Sequence, residues 1–238
     1  MRAANVFAVV LALLSASPAP AQLKPEAQTG SRIETKPVKI DPKRAGLVMK
    51  NFARCVYRAN PALAVRLLAN SDPVSIDFAT MKTSPQKLND AFGMADCLGE
   101  EMGALSLGMG LKMSATRLRP LMAEEDYLFQ HKAAPALPEG ATETLNRSYV
   151  GTEKNAARAR SLAEFADCIV FRDTVHADAL LRTAPNSNEE GAAARGLAPS
   201  LGACLVQGQT IELTAPAVRA MVADGLWTRY AKMAGAVR

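Results

Sequence analysis

The sequence contains few of the residue types and motifs on which common catalytic sites are built. Histidine occurs only at positions 131 and 176, and aromatic residues make up 5% of the 238 residues. Two histidines far apart in the chain do not form a multi-histidine metal site, and no H-E-x-x-H pattern occurs. A G-x-S-x-G elbow, a G-x-G-x-x-G loop and a G-K-[ST] motif are also missing. The sequence therefore does not indicate a metalloprotease, an acyl hydrolase or a nucleotide-binding protein, and no metal or cofactor is expected.

Long apolar runs are also missing, and the N-terminus has the layout of a secretory signal peptide. Arg2 provides a positive start, an apolar run extends from Val6 to Leu14, and small residues end in Ala19-Pro20-Ala21. This order predicts cleavage before Gln22. The alternative is a membrane anchor, but the apolar run is about half the roughly 20 residues that a span requires, and no later run is long enough. We expect residues 1–21 to be removed, leaving a soluble protein that is periplasmic or secreted, without a transmembrane anchor.

Positive charge is concentrated near the N-terminus. The net charge is +5, yet the residues from Asn51 onward are balanced, with twenty basic and twenty acidic side chains. We interpret residues 22–40 as a flexible basic arm, because this segment contains proline and has few large apolar residues. The arm is either a solvated leader or a contact to an anionic membrane surface or envelope polymer. The balanced remainder has no basic footprint, so nucleic acid is not an expected partner.

The chain has only four cysteines, Cys55, Cys97, Cys168 and Cys204. None is spaced C-x-x-C, which argues against a thioredoxin-type redox site and a zinc knuckle. An even number of cysteines in an exported chain favours disulfides. Four cysteines allow three pairings, so the choice depends on other information.

An internal repeat provides that information. Phe52–Leu68 aligns with Phe165–Leu181, Cys97-Leu98 with Cys204-Leu205, and Leu111–Tyr127 with Ile211–Trp227. The matched pairs include Phe52/Phe165, Cys55/Cys168, Asn60/Asp173, Ser114/Thr214, Arg119/Arg219, Glu124/Asp224 and Tyr127/Trp227. Three blocks in the same order predict an internal duplication. If each unit holds its own bridge, Cys55 pairs with Cys97 and Cys168 with Cys204.

Helical signals dominate each unit. Asp41-Pro42, Asn60-Pro61 and Ser84-Pro85 each place a capping residue before proline, and Ser114 and Thr214 are caps for a final helix. The helix that begins at Pro85 is predicted to continue through Cys97. We predict a mainly α fold of two repeated, disulfide-linked units with about four helices each.

A period-two pattern interrupts the helices. Leu105, Leu107, Met109, Leu111 and Met113 alternate strictly, and Ile211 and Leu213 alternate in the second copy. Alternation favours one short strand per unit, and the two strands would satisfy their backbone groups by pairing in a minimal sheet. A helical interpretation of residues 103–113 stays open because glycine weakens the strand pattern.

The units are assigned to residues 41–130 and 155–234. Residues 131–154 are rich in proline, glycine and threonine and are interpreted as a linker. Each unit is small and has few aromatic residues, so a shared core would bury more apolar surface. We therefore expect the two units to pack as one pseudo-symmetric body.

Clustered carboxylates do not single out a catalytic pair. Neighbouring helical residues point in different directions, which favours solvated faces for these clusters. They are Glu100-Glu101, Glu124-Glu125-Asp126 and Glu189-Glu190.

The repeat-matched arginines Arg119 and Arg219 are of greater interest. Each lies five residues before an acidic residue, a spacing that does not imply an ion pair within the helix. The simpler interpretation is that each arginine covers the core with its stem and pairs with a carbonyl or carboxylate of its own unit. The alternative is a shared partner-binding groove formed by Arg119, Arg219, Tyr127 and Trp227.

These observations favour a non-enzymatic exported protein that binds an envelope protein or polymer. The alternative is an enzyme, for example a hydrolase, that uses carboxylate and arginine chemistry in a cleft between the two units.

Overall fold

Helices form almost all of the regular structure in the residues that can be described. The computed structural model describes residues 41–102, 114–206 and 213–235. The helices in these ranges are α1 Pro42–Ala59, α2 Pro61–Ala69, α3 Pro85–Ala91, α4 Met94–Met102, α5 Ala115–Gln130, α6 Glu153–Arg172, α7 Thr174–Arg182, α8 Asn188–Gly196, α9 Ala198–Cys204 and α10 Ala215–Gly235. These ranges also contain an isolated antiparallel β-bridge between Ser71 and Ile76. The prediction of a mainly helical, disulfide-bonded chain is confirmed.

The predicted strands fall on parts of the chain that the structure does not describe. Residues 103–113 and 207–212 contain nearly all of both alternating patterns. The strands and their pairing therefore stay predictions.

Side-chain caps explain where several helices begin. The Asn60 carboxamide accepts a hydrogen bond from the Leu63 amide at 3.1 Å, and the Asp173 carboxylate accepts one from the His176 amide at the same distance. Asp41 caps α1 in the same way. Each cap satisfies a backbone donor that the first helical turn leaves without an internal partner.

The predicted third helix of the first unit is divided in two, which gives five helices where about four were expected. Gly93 has φ +58° between α3 and α4. This left-handed conformation is accessible to glycine at little cost and ends a helix. The chain therefore changes direction after Phe92, and α4 carries Cys97 back toward α1.

The two long helices α5 and α10 pack against each other and organise the remaining helices. α1 and α2 pack on α5, while α6 and α7 pack on α10. Their shared core contains Phe52, Leu67, Leu118, Met122, Tyr127, Phe165, Ile169, Leu180, Val222, Leu226 and Tyr230. Gly225 allows the close approach of α10 to α6, because a Cβ there would lie 2.7 Å from the Ala166 carbonyl oxygen.

Each disulfide joins a longer helix to a shorter one. Cys55 of α1 bonds Cys97 of α4, and Cys168 of α6 bonds Cys204 of α9. Closing loops of this size stabilises a chain by about 3–4 kcal/mol through the unfolded state. No helix in the described ranges is both long enough and apolar enough to cross a bilayer.

Candidate functional site

Two adjacent cavities lie over the N-terminal halves of α5 and α10. The larger, the apolar cavity, has a volume of about 620 Å³, and the smaller, the basic cavity, about 400 Å³. Their walls share Arg117, Pro120, Ala217 and Ala220. We call the two cavities together the α5–α10 groove.

The apolar cavity is enclosed by four parts of the chain. α1 contributes Met49, α5 contributes Leu121, the connection between α7 and α8 contributes Pro185, and the start of α10 contributes Pro216. Gly46 lets α1 approach the connection, because a Cβ there would lie 2.8 Å from the Pro185 carbonyl oxygen. The exposed wall is therefore made largely of apolar side chains.

Arg219 is the centre of a buried ion cluster below this wall. Its guanidinium binds Glu124 through two hydrogen bonds, with Nε–Oε2 2.8 Å and Nη2–Oε1 2.7 Å, and Glu190 Oε1 at 3.0 Å. It also donates to the carbonyl oxygens of Leu180 and Leu181. Burial lowers the pKa of Arg219, but the two carboxylates outweigh this effect and raise it overall. The arginine therefore stays charged and its donors are engaged.

Lys50 completes the same cluster from α1. Its ammonium donates to the carbonyl oxygens of Leu181 and Thr183, at 2.8 and 3.0 Å, and lies 3.4 Å from Glu124 Oε1. Burial lowers the pKa of Lys50, while Glu124 opposes that change. Two hydrogen bonds to backbone carbonyls and the ion pair with Glu124 therefore hold the Lys50 ammonium within the cluster.

Glu125 is the exception among the buried charged residues of the apolar cavity. It is 6% exposed, and Oε1 has no hydrogen-bond partner among the described residues. Oε2 lies 3.5 Å from Arg54 Nε. Burial raises the pKa of Glu125, and the charge of Glu124 raises it further, against the opposing effects of Arg54 and Lys50. This carboxyl group holds its proton to higher pH than an ordinary glutamate.

A second ion cluster lies below the basic cavity. Arg119 donates to Asp224 Oδ1 at 2.7 Å and to the carbonyl oxygens of Leu68 and Ser71 at 2.7 Å. Arg147, from the segment between α5 and α6, binds Asp224 Oδ2 at 2.6 Å. Arg147 therefore brings a cation to a buried carboxylate, as Arg219 does in the first cluster, although the two arginines come from different parts of the chain.

Asp167 and Asp224 share Arg147 but differ in protonation behaviour. Burial acts to raise the pKa of Asp224, yet Arg119 and Arg147 outweigh it and hold the pKa below its usual value. Burial raises the pKa of Asp167. The hydrogen bond and the charge of Arg147 oppose this increase but do not outweigh it. Asp224 forms ion pairs with two arginines, whereas Asp167 forms an ion pair with Arg147, and the charge of Asp224 also raises its pKa.

Two arginines of the basic cavity are exposed and have no ion-pair partner in the described ranges. They are Arg117, on the first turn of α5, and Arg158, on α6. The hydroxyl-bearing residues Thr116 and Ser161 line the same cavity. The α5 N-terminus adds positive potential, because Ser114 makes no side-chain capping bond there.

The structure places the four residues predicted for a partner-binding groove inside the helix packing. Arg119, Arg219 and Tyr127 are buried, and Trp227 is half-buried. The Tyr127 hydroxyl donates to Asp178 at 2.8 Å, and Trp227 Nε1 donates to Asp126 at 2.7 Å. Each arginine pairs with the carboxylate on the other long helix and also with its own half of the chain, through backbone carbonyls in both cases and through Glu190 for Arg219. They support the floor of the groove, while Arg117 and Arg158 provide its unpaired charges.

The prediction of solvated acidic faces is wrong for four of the carboxylates. Glu124, Glu125, Asp126 and Glu190 are all buried. Spacing within one helix does not reveal this burial, because the partners of Glu124 and Asp126 on α10 are about a hundred residues away in the sequence. One signal was available in the sequence: an arginine stands five residues before an acidic residue at both Arg119 and Arg219, which suits reciprocal pairing between two helices.

Metal binding receives no support from the described side chains. The cluster found there combines Glu143 with Cys168 and Cys204, and the two sulfurs are joined in a disulfide. Thiolate ligands are therefore not available at this position.

Comparison with known protein families, characterised proteins and solved structures finds no match for this chain.

Proposed function

We propose that the protein is exported and binds an envelope component in the α5–α10 groove without catalysing a reaction. The observation that carries this proposal is that four charged residues beneath the apolar wall already have hydrogen-bond or ion-pair partners. Arg219, Lys50, Glu124 and Glu190 satisfy one another or backbone carbonyls. Such residues hold the fold together and have no free group for proton transfer or nucleophilic attack, whereas an apolar concavity is suited to binding.

Export is supported by the N-terminal sequence and by the two disulfides, which persist in oxidising compartments. The expected mature N-terminus is Gln22. N-terminal sequencing of the protein recovered from periplasm or medium tests this expectation. Recovery from the cytoplasm with Met1 intact would contradict it.

Internal duplication belongs to the same proposal. Helices α2 and α7 support it, because each has nine residues and the sequence offset between them equals the offset between Cys55 and Cys168. The reciprocal pairs Arg119–Asp224 and Arg219–Glu124 support it further. Peptide mapping without reduction should recover the two bridges separately, and a Cys55–Cys168 peptide would contradict the two-unit organisation.

The binding role is tested with envelope extract and immobilised protein that begins at Gln22. The comparison variant is Ala220→Trp, which fills the wall shared by the two cavities. We expect a component retained by the original protein to be lost by the variant. Identical retention by both proteins would remove the groove from the proposal. A second comparison, with a chain that begins at Asp41, measures the contribution of the basic arm.

A cleft hydrolase is the alternative, and Glu125 is the observation that favours it. A buried carboxyl group with a raised pKa and a free oxygen is suited to act as a general acid. The other carboxylates of the cavity are held by Arg219, so a second catalytic carboxylate is missing among the described residues. Hydrolysis of envelope polymer by the original protein, lost in Glu125→Gln, would establish the alternative.

A further inference from the structure

The two cavities of the groove differ in charge although they share a wall. In the apolar cavity, Lys50, Arg117 and Arg219 are balanced by Glu124, Glu125 and Glu190. In the basic cavity, Arg117, Arg119 and Arg158 face a single lining carboxylate, Asp224. That carboxylate is held by Arg119 and by Arg147, so it does not compensate the exposed arginines. The basic cavity therefore has an excess of positive charge.

The donors of the basic cavity are those that bind an anion. Arg117 and Arg158 have exposed guanidinium groups with no ion-pair partner among the described residues, and charge-assisted hydrogen bonds from guanidinium to an anionic oxygen are among the strongest in proteins. Thr116 and Ser161 provide hydroxyl donors on the same wall. The positive end of α5 contributes in the same direction.

Apart from Arg117, the residues that the two cavities share are small or apolar. Ala217 and Ala220 provide only methyl groups there, beside the ring of Pro120. Beyond this wall the apolar cavity has the larger volume and a lining that includes Met49, Leu121 and Pro216. A hydrocarbon chain that crosses the alanines would remove apolar surface from water on both partners.

We infer that the groove is a site for a single-chain anionic amphiphile, with its head group on Arg117 and Arg158 and its chain in the apolar cavity. This inference rests on the proposed binding function and names the class of ligand. It commits to an amphiphile because Arg117 and Arg158 meet in the basic cavity, Arg117 at the wall that both cavities share, whereas the larger apolar volume lies beyond that wall.

Isothermal titration calorimetry of the chain beginning at Gln22 tests the inference with three ligands of equal chain length: octanoate, 1-octanol and octylammonium. We expect octanoate to bind at least about tenfold more tightly than 1-octanol, because of its charge-assisted hydrogen bonds, and octylammonium to bind weakest. Added salt should weaken octanoate binding. Equal or tighter binding of 1-octanol or octylammonium would overturn the inference.

Variants locate the two ends of the ligand. Arg117→Gln and Arg158→Gln should each weaken octanoate binding by about fivefold or more and leave 1-octanol binding nearly unchanged. Arg58→Gln is the matched control, because Arg58 is another exposed arginine without an ion-pair partner in the described ranges. Both groove arginines have exposed side chains, so folding should survive their substitution. Equal effects of all three variants would overturn the inference.

Other occupants give different results. A short apolar peptide with a free terminal carboxylate that binds where octanoate does not would assign the groove to a peptide terminus and overturn the amphiphile. Failure of all three octyl ligands, with envelope material still retained through the groove, would overturn the inference and leave the proposed function standing. If the Ala220→Trp variant still retains the envelope material, the groove is not the binding site and the proposed function is wrong.

Discussion

Arg119 and Arg219 bring full positive charges into the interior, and their environments explain why this is tolerated. Each guanidinium meets a carboxylate on the opposite long helix and carbonyl oxygens at the ends of α2 or α7. Burying a charge is costly unless it is paired and hydrogen-bonded. Breaking such a pair is therefore more destabilising than its net contribution to folding, since one charge is left without compensation.

Arg219→Met should lower the free energy of unfolding by about 3–5 kcal/mol, because it leaves Glu124 and Glu190 without their main partner. Arg119→Met should cost less, because Asp224 keeps Arg147. Urea unfolding followed by circular dichroism measures both. The exposed Arg117→Met is the control and should change stability by no more than about 0.5 kcal/mol. Similar small losses for all three variants would contradict the structural role of the buried pairs.

Glu125 should make stability depend on pH. Its pKa is raised in the folded state, so its contribution is fully present below the unfolded value of about 4.3 and is lost as the pH rises through the folded value. Glu125→Gln cannot lose a proton. We therefore expect the stability of Glu125→Gln relative to the original protein to increase from pH 4 to pH 7.

Parallel urea titrations at several pH values measure this difference. A difference that does not change with pH would contradict the raised pKa. Glu101→Gln is a suitable control, because Glu101 is partly exposed and binds Asn51 at the surface.

At the scale of helices, α2 and α7 begin at different capping residues that make the same hydrogen bond. Asn60 begins α2 and Asp173 begins α7, and both accept a hydrogen bond from the amide three residues ahead. Asn and Asp rank similarly as capping residues, since each offers a side-chain oxygen at the same position. The two helix starts therefore share the same capping hydrogen bond, and Asp173 in addition contacts His176 Nδ1 at 2.8 Å.

Exchanging the two caps tests this equivalence. Asn60→Asp and Asp173→Asn should each change the free energy of unfolding by only a few tenths of a kcal/mol, whereas Asn60→Ala should cost about 1 kcal/mol. Thermal and urea unfolding of the variants give the comparison. A cost for Asn60→Asp equal to that for Asn60→Ala would show that the carboxamide has another role.

At the scale of the whole molecule, the segment between α5 and α6 is held in place by polar contacts. Arg147 binds Asp167 and Asp224, and Asp72 accepts hydrogen bonds from the amides of Val150 and Gly151. Arg229 donates to the carbonyl oxygens of Thr142 and Glu143. The connection is thus part of the packed structure, although its composition is that of a linker.

Arg147→Gln should release this segment to proteolysis. A protease that cuts after glutamate is the suitable probe, because Glu139 and Glu143 lie in the segment and the substitution does not alter these cleavage sites. We expect cleavage between the two halves at least several-fold faster than in the original protein, since the released backbone must open locally before it is cut. Arg172→Gln, which removes an exposed pair with Glu143, is the control. Equal rates for Arg147→Gln and Arg172→Gln would contradict the tether.

Much of the secondary structure could be predicted because its causes are local. Capping residues followed by proline marked the starts of α1, α2 and α3. The break at Gly93 was missed, because a glycine within a helical pattern does not by itself distinguish a tolerated interior position from a left-handed end. The predicted strands, the signal peptide and the basic arm fall on residues outside the described ranges and stay predictions.

The candidate site was much less accessible to sequence reasoning. The acidic run from Glu124 to Asp126 has the composition of a solvated face, and nothing within its own helix indicates otherwise. Its burial depends on Arg219 and Trp227, which reach it only because α5 and α10 pack side by side. Arg117 drew no attention in the sequence, and only the tertiary structure shows that, unlike Arg119 and Arg219, it has no acidic partner in the described part of the chain.

The sequence by itself determined the mainly helical, disulfide-bonded character of the chain, because helix caps, apolar spacing and cysteine number act over short distances. Only the tertiary structure decided which charges are buried, which arginines stay unpaired and where the groove lies. The ion pairs that settle these questions join residues about a hundred positions apart, and their geometry is set by the packing of two helices rather than by any local pattern.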